Sequence, residues 1–441
     1  MNVTQFIHDL TWNDLPDDAR HYARLCLMDT IGAGIGGRRT ELSRIIFDFA
    51  ALAFGGRGAQ LWLDGREVSP VGAALANGMT VDALDIHDGY KPSKGHAGAA
   101  LIPALLASLK LQPDQTLSGQ ELLTTLAIGY EIALRAALAL HATVCDYHTS
   151  GAWNALGCAA MAARRLGSPA EQTRHALGIA EYHGPRSQMM RCIDYPTMLK
   201  DGSGWGALAG VSAALMAHGG FTGAPALTVE APEVAHLWAD LGSKWRIRDQ
   251  YFKPYAVCYW AQAPVNGTLQ LQRAHALALD SIKRIRVHTF HEATRLAVSH
   301  PQTTEAAQYS LPFPVAAALI HGQLGPEQLS GAALHDRRVL AISDRVELIE
   351  DAVYNAHFPA ERLARVVIET TDGATFDSGE VRPRWDRSAS APPTDDELLE
   401  KFRWLARGRL SDERATALER ALWHSDELTE AGEIMALLAP S

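Results

Sequence analysis

Residues 78–100 read GMTVDALDIHDGYKPSKGHAGAA. The stretch opens with the small residues typical of a closely packed helix, and Gly89, Pro92 and Gly95 then break it into a loop. An apolar helical pattern resumes at Leu101. The loop carries these titratable side chains: Asp85, His87, Asp88, Lys91, Lys94 and His96. Because titratable groups between buried helices are costly to desolvate unless they are paired or used, we expect this loop to hold a functional site.

The loop cluster has two functional interpretations and one structural interpretation. His87 or His96 could carry protons, because a histidine titrates near neutral pH. The same imidazoles could instead form a metal site with Asp85 or Asp88, since imidazole and carboxylate are common metal ligands. In the structural interpretation, the aspartates only cap the loop and form its turns.

Composition limits the class of protein. The 441 residues are 47% hydrophobic and 20% charged, which indicates a globular chain, and the abundance of Ala and Leu favours helix. A formal net charge of −10 argues against a nucleic-acid partner. The five cysteines show no CxxC spacing, as is typical of a reducing compartment. With no signal-peptide pattern and no uninterrupted apolar window of about 18 residues, we predict a cytoplasmic protein without a membrane span.

Outward from the loop, the pattern is helical to about residue 258. Alternation then begins, with a predicted half-exposed strand at Ile282–Thr289 and a hairpin turning at Asp372-Gly373. Residues 388–394 resemble a linker, and the chain ends in amphipathic helix. We therefore predict a mainly α protein. A large helical domain is formed by both chain ends, residues 1–258 and 392–441, and a smaller α+β lid domain is inserted at residues 259–391.

Three further clusters could carry chemistry. His148 stands just before a predicted helix start, where the helix dipole favours an anion, although a lone histidine is more often structural. Lys200 lies in a Gly/Ser-rich turn before a small-residue helix, where a lysine can hold a carboxylate or simply be solvated. Residues 252–262 bring Cys258 and Tyr259 to the predicted domain boundary, where aromatic core packing is the structural alternative. Tyr309 precedes another helix.

Taken in order, these stretches resemble the MmgE/PrpD family, which contains 2-methylcitrate dehydratase, cis-aconitate decarboxylase and iminodisuccinate epimerase. The resemblance runs over nearly the whole chain. It is carried by Asp29-Thr30-Ile31-Gly32, the 77–96 loop, His148, 197–200, Gly219-Gly220-Phe221-Thr222-Gly223, 253–260 and Gln308-Tyr309-Ser310. It implies a large helical domain, a smaller α+β domain and a homodimer. It also implies a site lined by Asp85, His96, His148, Lys200, Cys258, Tyr259 and Tyr309.

The chain departs from the family pattern at three places. The common Asp-Phe-Asp-Asp run is Asp85-Ile86-His87-Asp88 here, and the usual His-Pro is His96-Ala97. Cys258 stands where the decarboxylase branch has a histidine. The Cys258-Tyr259 pair resembles the epimerase branch more closely.

Reactions in this family make or break a bond to a carbon next to a carboxylate, so the site must supply a proton carrier and cations. We expect Lys200 and Arg191 to hold substrate carboxylates, with His96 or His148 moving the proton on one face. Tyr259, Tyr309 or Cys258 would serve the other face. Further substrate contacts are expected from these residues: Asp88, Lys91 and Tyr309.

The predicted function is a cofactor-independent lyase or isomerase that acts on a small di- or tricarboxylic acid, as a dehydratase or an epimerase. One alternative is a metal-dependent hydrolase using Asp85, His87 and His96. A second alternative is a non-catalytic member of the family that serves as a binding or structural subunit.

Overall fold

The computed structural model describes residues 2–112 and 115–440. Within them it has 21 α-helices and only small sheets, which confirms the predicted mainly α fold with a smaller α+β part. The first half contains twelve helices and a two-stranded antiparallel ladder. Its elements are α1 (Val3–Asp9), α2 (Asp17–Gly37), α3 (Glu41–Ala53), β1 (Ala59–Gln60), β2 (Glu67–Val68), α4 (Pro70–Asp82), α5 (Gly98–Ala107), α6 (Gly119–Thr143), α7 (Gly151–Arg165), α8 (Ala170–His183), α9 (Met189–Asp194), α10 (Ser203–His218), α11 (Leu227–Glu230) and α12 (Ala235–Trp238).

The second half holds the main sheet and the C-terminal helices. Its elements are α13 (Tyr259–His275), β3 (Ile282–Thr289), α14 (His291–Thr294), α15 (Thr304–Gln308), α16 (Pro312–His321), α17 (Arg337–Ser343), β4 (Val346–Glu350), α18 (Ala352–His357), β5 (Ala364–Thr370), β6 (Thr375–Val381), α19 (Asp395–Ala406), α20 (Asp412–Trp423) and α21 (Gly432–Leu437).

The four-stranded sheet has the order β4-β3-β5-β6. β3 pairs parallel with β4 and antiparallel with β5, and β5 pairs antiparallel with β6. β3 covers the predicted strand at residues 282–289, and β5 and β6 form the predicted hairpin, in which the Gly373 amide donates to the Thr370 carbonyl. Helix α13 packs against β5 and β6 and covers one face of the sheet.

Small residues bring together the helices that lead into the site. A Cβ placed on Gly204 of α10 would come 2.4 Å from the Leu75 carbonyl of α4, and one on Gly78 of α4 would come 2.8 Å from the Gly204 Cα. Such close backbone contact is possible only for glycine. Because α4 ends at Asp82 and α10 begins at Ser203, this contact places the loop after α4 beside the turn that carries Lys200.

Helix α2 joins the two ends of the chain. Its glycine-rich run is helical, and a Cβ on Gly37 would lie 2.0 Å from the Thr80 carbonyl. Gly32 and Gly36 lie against the side chains of Phe402 and Leu405 on α19. The C-terminal helices therefore pack on the N-terminal ones, while the exact division into domains stays a prediction.

Helix α6 crosses the core of the helical part. Among the described residues it is the one helix that is long and apolar enough to cross a membrane by length and composition. Of its apolar window, 94% is buried inside the protein, as in the central helix of a folded core.

Candidate active site

The loop after α4, the start of α13 and the segment before α16 enclose a narrow cavity of about 30 Å³. We call it the inner cavity. Its lining includes these residues from the predicted site: Asp85, Lys91, His96, Cys258, Tyr259 and Tyr309. Three separate stretches of the sequence thus contribute side chains to one enclosed space.

His96 is positioned as a neutral base. Its Nδ1 lies 2.7 Å from the Asp88 carbonyl oxygen, and because a carbonyl only accepts, Nδ1 carries the proton. Nε2 is then unprotonated and lies 4.0 Å from Asp85 Oδ1. Burial, assisted by the nearby positive charge of Lys253, holds the pKa of His96 well below its usual value. Nε2 therefore offers a lone pair within the lining of the inner cavity.

Asp85 is kept ionised by two buried lysines. The Lys253 ammonium donates to its carboxylate and, at 3.0 Å, to its backbone carbonyl. Burial by itself would raise the pKa of Asp85, but the charges of Lys253 and Lys200 together hold it well below its usual value. This compensated charge gives the inner cavity a fixed anion beside His96.

Three titratable residues at or beside the inner cavity have left-handed backbone conformations. The φ angles are 49° at Asp85, 56° at Lys94 and 50° at Lys200. Side chains other than glycine rarely adopt this region, and such strain concentrates at functional sites, where the surrounding structure enforces it.

Lys200 is buried next to the cavity and is not part of its lining. Its ammonium donates to the Gln308 side-chain carbonyl and lies 4.8 Å from the centroid of the Tyr309 ring. Gln308 in turn donates to the Ala83 carbonyl at 3.0 Å. Lys200 thus supports the cavity wall and lowers the pKa of Asp85, while Tyr309 itself belongs to the lining.

Proton donors line the cavity together with the base. Burial raises the pKa of the Cys258 thiol to about 12 and that of the Tyr309 phenol well above its usual value, so both are protonated at neutral pH. The Tyr259 hydroxyl donates to the Asp386 carboxylate, and its ring stacks on Tyr251 at a centroid distance of 3.9 Å. Cys258 and Tyr309 are therefore two lining residues with a proton to supply.

Besides Lys200, three more predicted site residues lie outside the lining. His148 is half-buried, and its backbone amide donates to His141 Nε2 at 3.3 Å. Arg191 is exposed on α9. The Asp88 carboxylate is fully buried and accepts from the Tyr130 hydroxyl at 2.7 Å, so Asp88 meets the site through the backbone carbonyl that orients His96.

The lining also contains four polar residues that the sequence patterns did not assign to the site: Lys94, Tyr147, Tyr251 and Arg362. Lys94 lay in the quoted loop and Tyr147 beside His148, so position in the sequence could have indicated both. Lys253, the partner of Asp85, lay in the aromatic stretch that was identified. Arg362 precedes β5 and carries no motif, so only the folded structure reveals it.

The metal-dependent alternative gains no support from the side-chain geometry. His87 Nε2 lies 3.2 Å from Asp82 Oδ1, and the His87 ring meets the His96 ring edge to face at 4.7 Å. Across residues 2–112 and 115–440, no group of three or more His, Cys, Asp and Glu side chains is placed to hold a metal ion.

Comparison with known proteins covers almost the whole chain. Residues 2–238 match the MmgE/PrpD N-terminal domain, and residues 255–426 match the MmgE/PrpD C-terminal domain. The chain is 25% identical to the cis-aconitate decarboxylase of Homo sapiens, over 98% of this chain and 92% of that protein. It is 23% identical to the cis-aconitate decarboxylase-like protein oryM of Aspergillus oryzae, over 99% of this chain and 97% of that protein.

A dehydratase is among the similar proteins as well. The mitochondrial 2-methylcitrate dehydratase of Yarrowia lipolytica is 23% identical over 93% of this chain and 84% of its own length. Both domains of one family are matched, in order and over more than half of the chain. This chain belongs to the MmgE/PrpD family.

Proposed function

We propose that this protein is an enzyme that moves a proton at a carbon next to a carboxylate of a small di- or tricarboxylic acid. The observation that carries the proposal is His96, a buried neutral imidazole whose unprotonated Nε2 belongs to the lining of the inner cavity. Cations line the same cavity at Lys91, Lys94 and Arg362, although the chain as a whole has a net charge of −10. A polycarboxylate is the ligand class that matches this local charge.

In the proposed step, His96 Nε2 takes the proton from the carbon next to the carboxylate. The electrons of the broken C–H bond pass into the carboxylate, which becomes an enediolate with additional negative charge. Positioned cations stabilise such charge more strongly in a dry site than in water. The Asp88 carbonyl, which accepts from Nδ1–H, stabilises the imidazolium that forms.

The fate of this intermediate defines the reaction. If a hydroxyl on the neighbouring carbon leaves, it takes a proton from the Cys258 thiol or the Tyr309 phenol and departs as water, which is dehydration. If one of these groups returns a proton to the other face of the same carbon, the result is epimerisation. We favour a deprotonation reaction because the histidine of the cavity is a base and not an acid at neutral pH.

Decarboxylation is the second candidate, and the similarity to cis-aconitate decarboxylases favours it. In that reaction the C–C bond to the leaving carboxylate breaks, and its electrons form a carbanion that needs a proton. Cys258 or Tyr309 could donate that proton, whereas His96 would have to be protonated first. Release of carbon dioxide separates this candidate from the first.

The experiment is proton NMR in D₂O with citrate, methylcitrate, cis-aconitate, malate and iminodisuccinate. Wild type is compared with His96→Gln, which removes the base, and with His236→Gln, which changes an exposed histidine on α12. We expect wild type and His236→Gln to lose a C–H signal at similar rates. In His96→Gln the rate of this loss should fall about 100-fold or more.

The new signals identify the reaction. Dehydration gives the signal of an alkene, decarboxylation gives the signals of an acid with one carboxylate fewer, with carbon dioxide measured separately, and epimerisation changes only the stereocentre. Retention of the wild-type rate by His96→Gln would contradict the role of His96. A wild-type protein that exchanges or converts none of the five acids would contradict the proposal and favour the non-catalytic alternative.

A further inference from the structure

The inner cavity adjoins a larger pocket. This outer pocket has a volume of about 540 Å³ and lies between α9, α14 and the segment around Phe358. Both spaces are lined by Lys94, Tyr147, Trp260 and Arg362, whereas Asp85 and His96 line only the inner cavity. We call the four shared residues the neck.

The volumes show how an acid must lie in the site. A cavity must have a volume of about 10–15 Å³ to hold one water molecule. The inner cavity, at about 30 Å³, therefore has room for only two or three water molecules. A di- or tricarboxylic acid is larger than that. With its reacting carbon next to His96, such an acid must extend through the neck toward the outer pocket.

Arg362 is a buried cation whose contacts leave its charge uncompensated. Its side chain is 5% exposed, and its guanidinium donates to the Pro359 carbonyl and, at 3.5 Å, to the Lys91 carbonyl. Its Nε is buried and has no hydrogen-bond partner. No carboxylate among the described residues forms an ion pair with it. A buried charge without a counter-ion is costly, so this guanidinium is suited to an anionic ligand.

Lys94, which is half-buried, is the second cation at the neck. Its ammonium lies 5.4 Å from the centroid of the Tyr147 ring, and in the described part of the chain it has no carboxylate partner. Burial and the nearby charge of Arg362 both lower the pKa of Lys94, so the two cations repel each other in the absence of an anion. Lys91 differs, because it lies 3.6 Å from Glu361 and 4.0 Å from Asp386.

We propose that Lys94 and Arg362 form a clamp for the substrate carboxylate that is farthest from the carbon deprotonated by His96. The clamp makes the enzyme selective for acids with at least two carboxylates. A guanidinium presents a planar pair of donors that matches a carboxylate, and Lys94 adds a second charge to the same group. This assignment rests on the proposed function for the identity of the reacting end, but binding tests it without turnover.

The test compares succinate with butyrate by isothermal titration calorimetry. The two acids have the same number of carbons, and butyrate has a methyl group in place of the second carboxylate. The proteins are wild type, Lys94→Met, Arg362→Met and Arg338→Met, the last changing an exposed arginine on α17 that pairs with Asp336. We expect wild type and Arg338→Met to bind succinate about 10- to 100-fold more tightly than butyrate.

In Lys94→Met and Arg362→Met the preference for succinate over butyrate should fall about tenfold or more. The affinity for butyrate should stay within about twofold of the wild-type value. Equal binding of the two acids by wild type would overturn the clamp. The clamp would also be overturned if both variants lost affinity for succinate and for butyrate by the same factor.

Arg362 also holds the Pro359 carbonyl, so Arg362→Met is checked by circular dichroism and thermal unfolding. If it fails to fold, Lys94→Met decides alone, because the Lys94 ammonium forms no hydrogen bond with any of the described residues. Arg362→Lys should restore part of the preference for succinate, which a loss of packing alone does not predict.

Turnover separates this proposal from the preceding one. If the acids react, KM of a dicarboxylate should rise in both clamp variants by about the factor seen in binding, with a smaller change in kcat. A succinate preference that depends on Lys94 and Arg362, in a protein that exchanges no C–H proton, would support the clamp and contradict the proposed reaction.

Discussion

Burial shifts the pKa values of His96 and Asp85, which face each other in the inner cavity, in opposite directions: it lowers the pKa of the histidine and raises that of the carboxyl group. It disfavours the charged forms of both His96 and Asp85, but only at Asp85 do the neighbouring opposite charges, those of Lys253 and Lys200, outweigh the effect of burial. The result is a neutral base next to an ionised carboxylate. Neither state follows from residue type alone, because each depends on Lys253, which is distant in the sequence.

The acid side of the pH–rate profile should reflect His96. Because burial lowers its pKa from the usual 6.5, the unprotonated form persists to lower pH, and kcat/KM should decline only well below pH 6.5. The measurement is C–H exchange from about pH 4 to pH 8 with the best acid of the panel. A decline centred at or above 6.5 would contradict the buried neutral state of this histidine.

Asp88 should make the folded protein less stable as pH rises, whereas a salt-bridged carboxylate makes a protein less stable as pH falls. Burial, and then the charge of Asp29, raises its pKa from 3.8 to about 6. The folded protein keeps this proton while the unfolded chain releases it, so stability is lost as pH rises from about 4 to 6. A rise of the Asp88 pKa from 3.8 to about 6 corresponds to roughly 3 kcal/mol of folding free energy.

Asp88→Asn should therefore raise the free energy of unfolding at pH 8 by up to about 3 kcal/mol and have less effect at pH 5. Urea unfolding at both values measures this difference, with Asp280→Asn at an exposed position as the control. A variant that is destabilised more at pH 8 than at pH 5 would contradict the raised pKa. His96 should keep its Nδ1–H tautomer in the variant, because its partner is the backbone carbonyl of residue 88.

At the scale of elements, the site depends on how helices from both ends of the chain meet. Lys401 of α19 donates to the Asp29 carboxylate of α2 and, at 2.6 Å, to the Ile86 carbonyl in the site loop. All of this contact is buried. Helix α19 thus fixes the backbone between Asp85 and Asp88, although it contributes no side chain to the cavity lining.

Removing one partner of the buried Lys401–Asp29 ion pair should lower the free energy of unfolding more than removing both partners. Lys401→Met leaves the Asp29 carboxylate buried without its cation and should lower the free energy of unfolding by about 3–5 kcal/mol. The double variant Asp29→Leu with Lys401→Met should recover much of that loss. Urea unfolding measures both. Arg403→Met changes an exposed arginine on the same helix as Lys401, which pairs with Glu419 of α20, and it should change stability far less.

The close contact between α4 and α10 predicts a second effect. Gly204→Ala places a methyl group 2.4 Å from the Leu75 carbonyl and 2.7 Å from the Met79 amide, and backbone atoms cannot rotate away. We expect destabilisation of at least about 1–3 kcal/mol, because the helices must separate. Gly55→Ala is the matched control, since nothing lies within 4 Å of its added Cβ. Equal unfolding curves for the two variants would contradict the contact.

At the scale of the whole molecule, α10 has an apolar side that the chain itself does not cover. The helix carries no charged residue between Ser203 and Ala217. Trp205 and Met216 on it are 41% and 37% exposed, and the neighbouring Leu199 is 70% exposed. A helix that is apolar on every side is normally buried against another surface. Together with the homodimer implied by the family resemblance, this favours a second copy of the chain as the partner.

We propose that the protein forms a homodimer through this side of α10. Light scattering after size exclusion should give twice the mass of the chain for wild type, and Trp205→Lys should shift it toward the monomer. Lys substitution at Leu52, an exposed leucine at 86% on α3, provides the control. A monomeric wild type would contradict the proposal, and a dimeric Trp205→Lys would place the interface elsewhere.

Local patterns in the sequence were sufficient for much of the fold. Small-residue and apolar helical spacing predicted the helical part, period-two alternation predicted β3, and Asp372-Gly373 marked the β5–β6 turn, because each signal depends on neighbours only a few residues away. The loop at residues 85–96 was recognisable for the same reason, since its titratable groups are adjacent in the chain.

Tertiary structure alone decided which of those groups lie together and in which protonation state. It brings Arg362 to Lys94, separates Arg191 and His148 from the cavity lining, and turns the Asp88 carboxylate into the core. It also sets the tautomer of His96 through one carbonyl and the charge of Asp85 through Lys253. These outcomes depend on contacts between distant parts of the chain and on burial, and neither is encoded in the spacing of residues along the sequence.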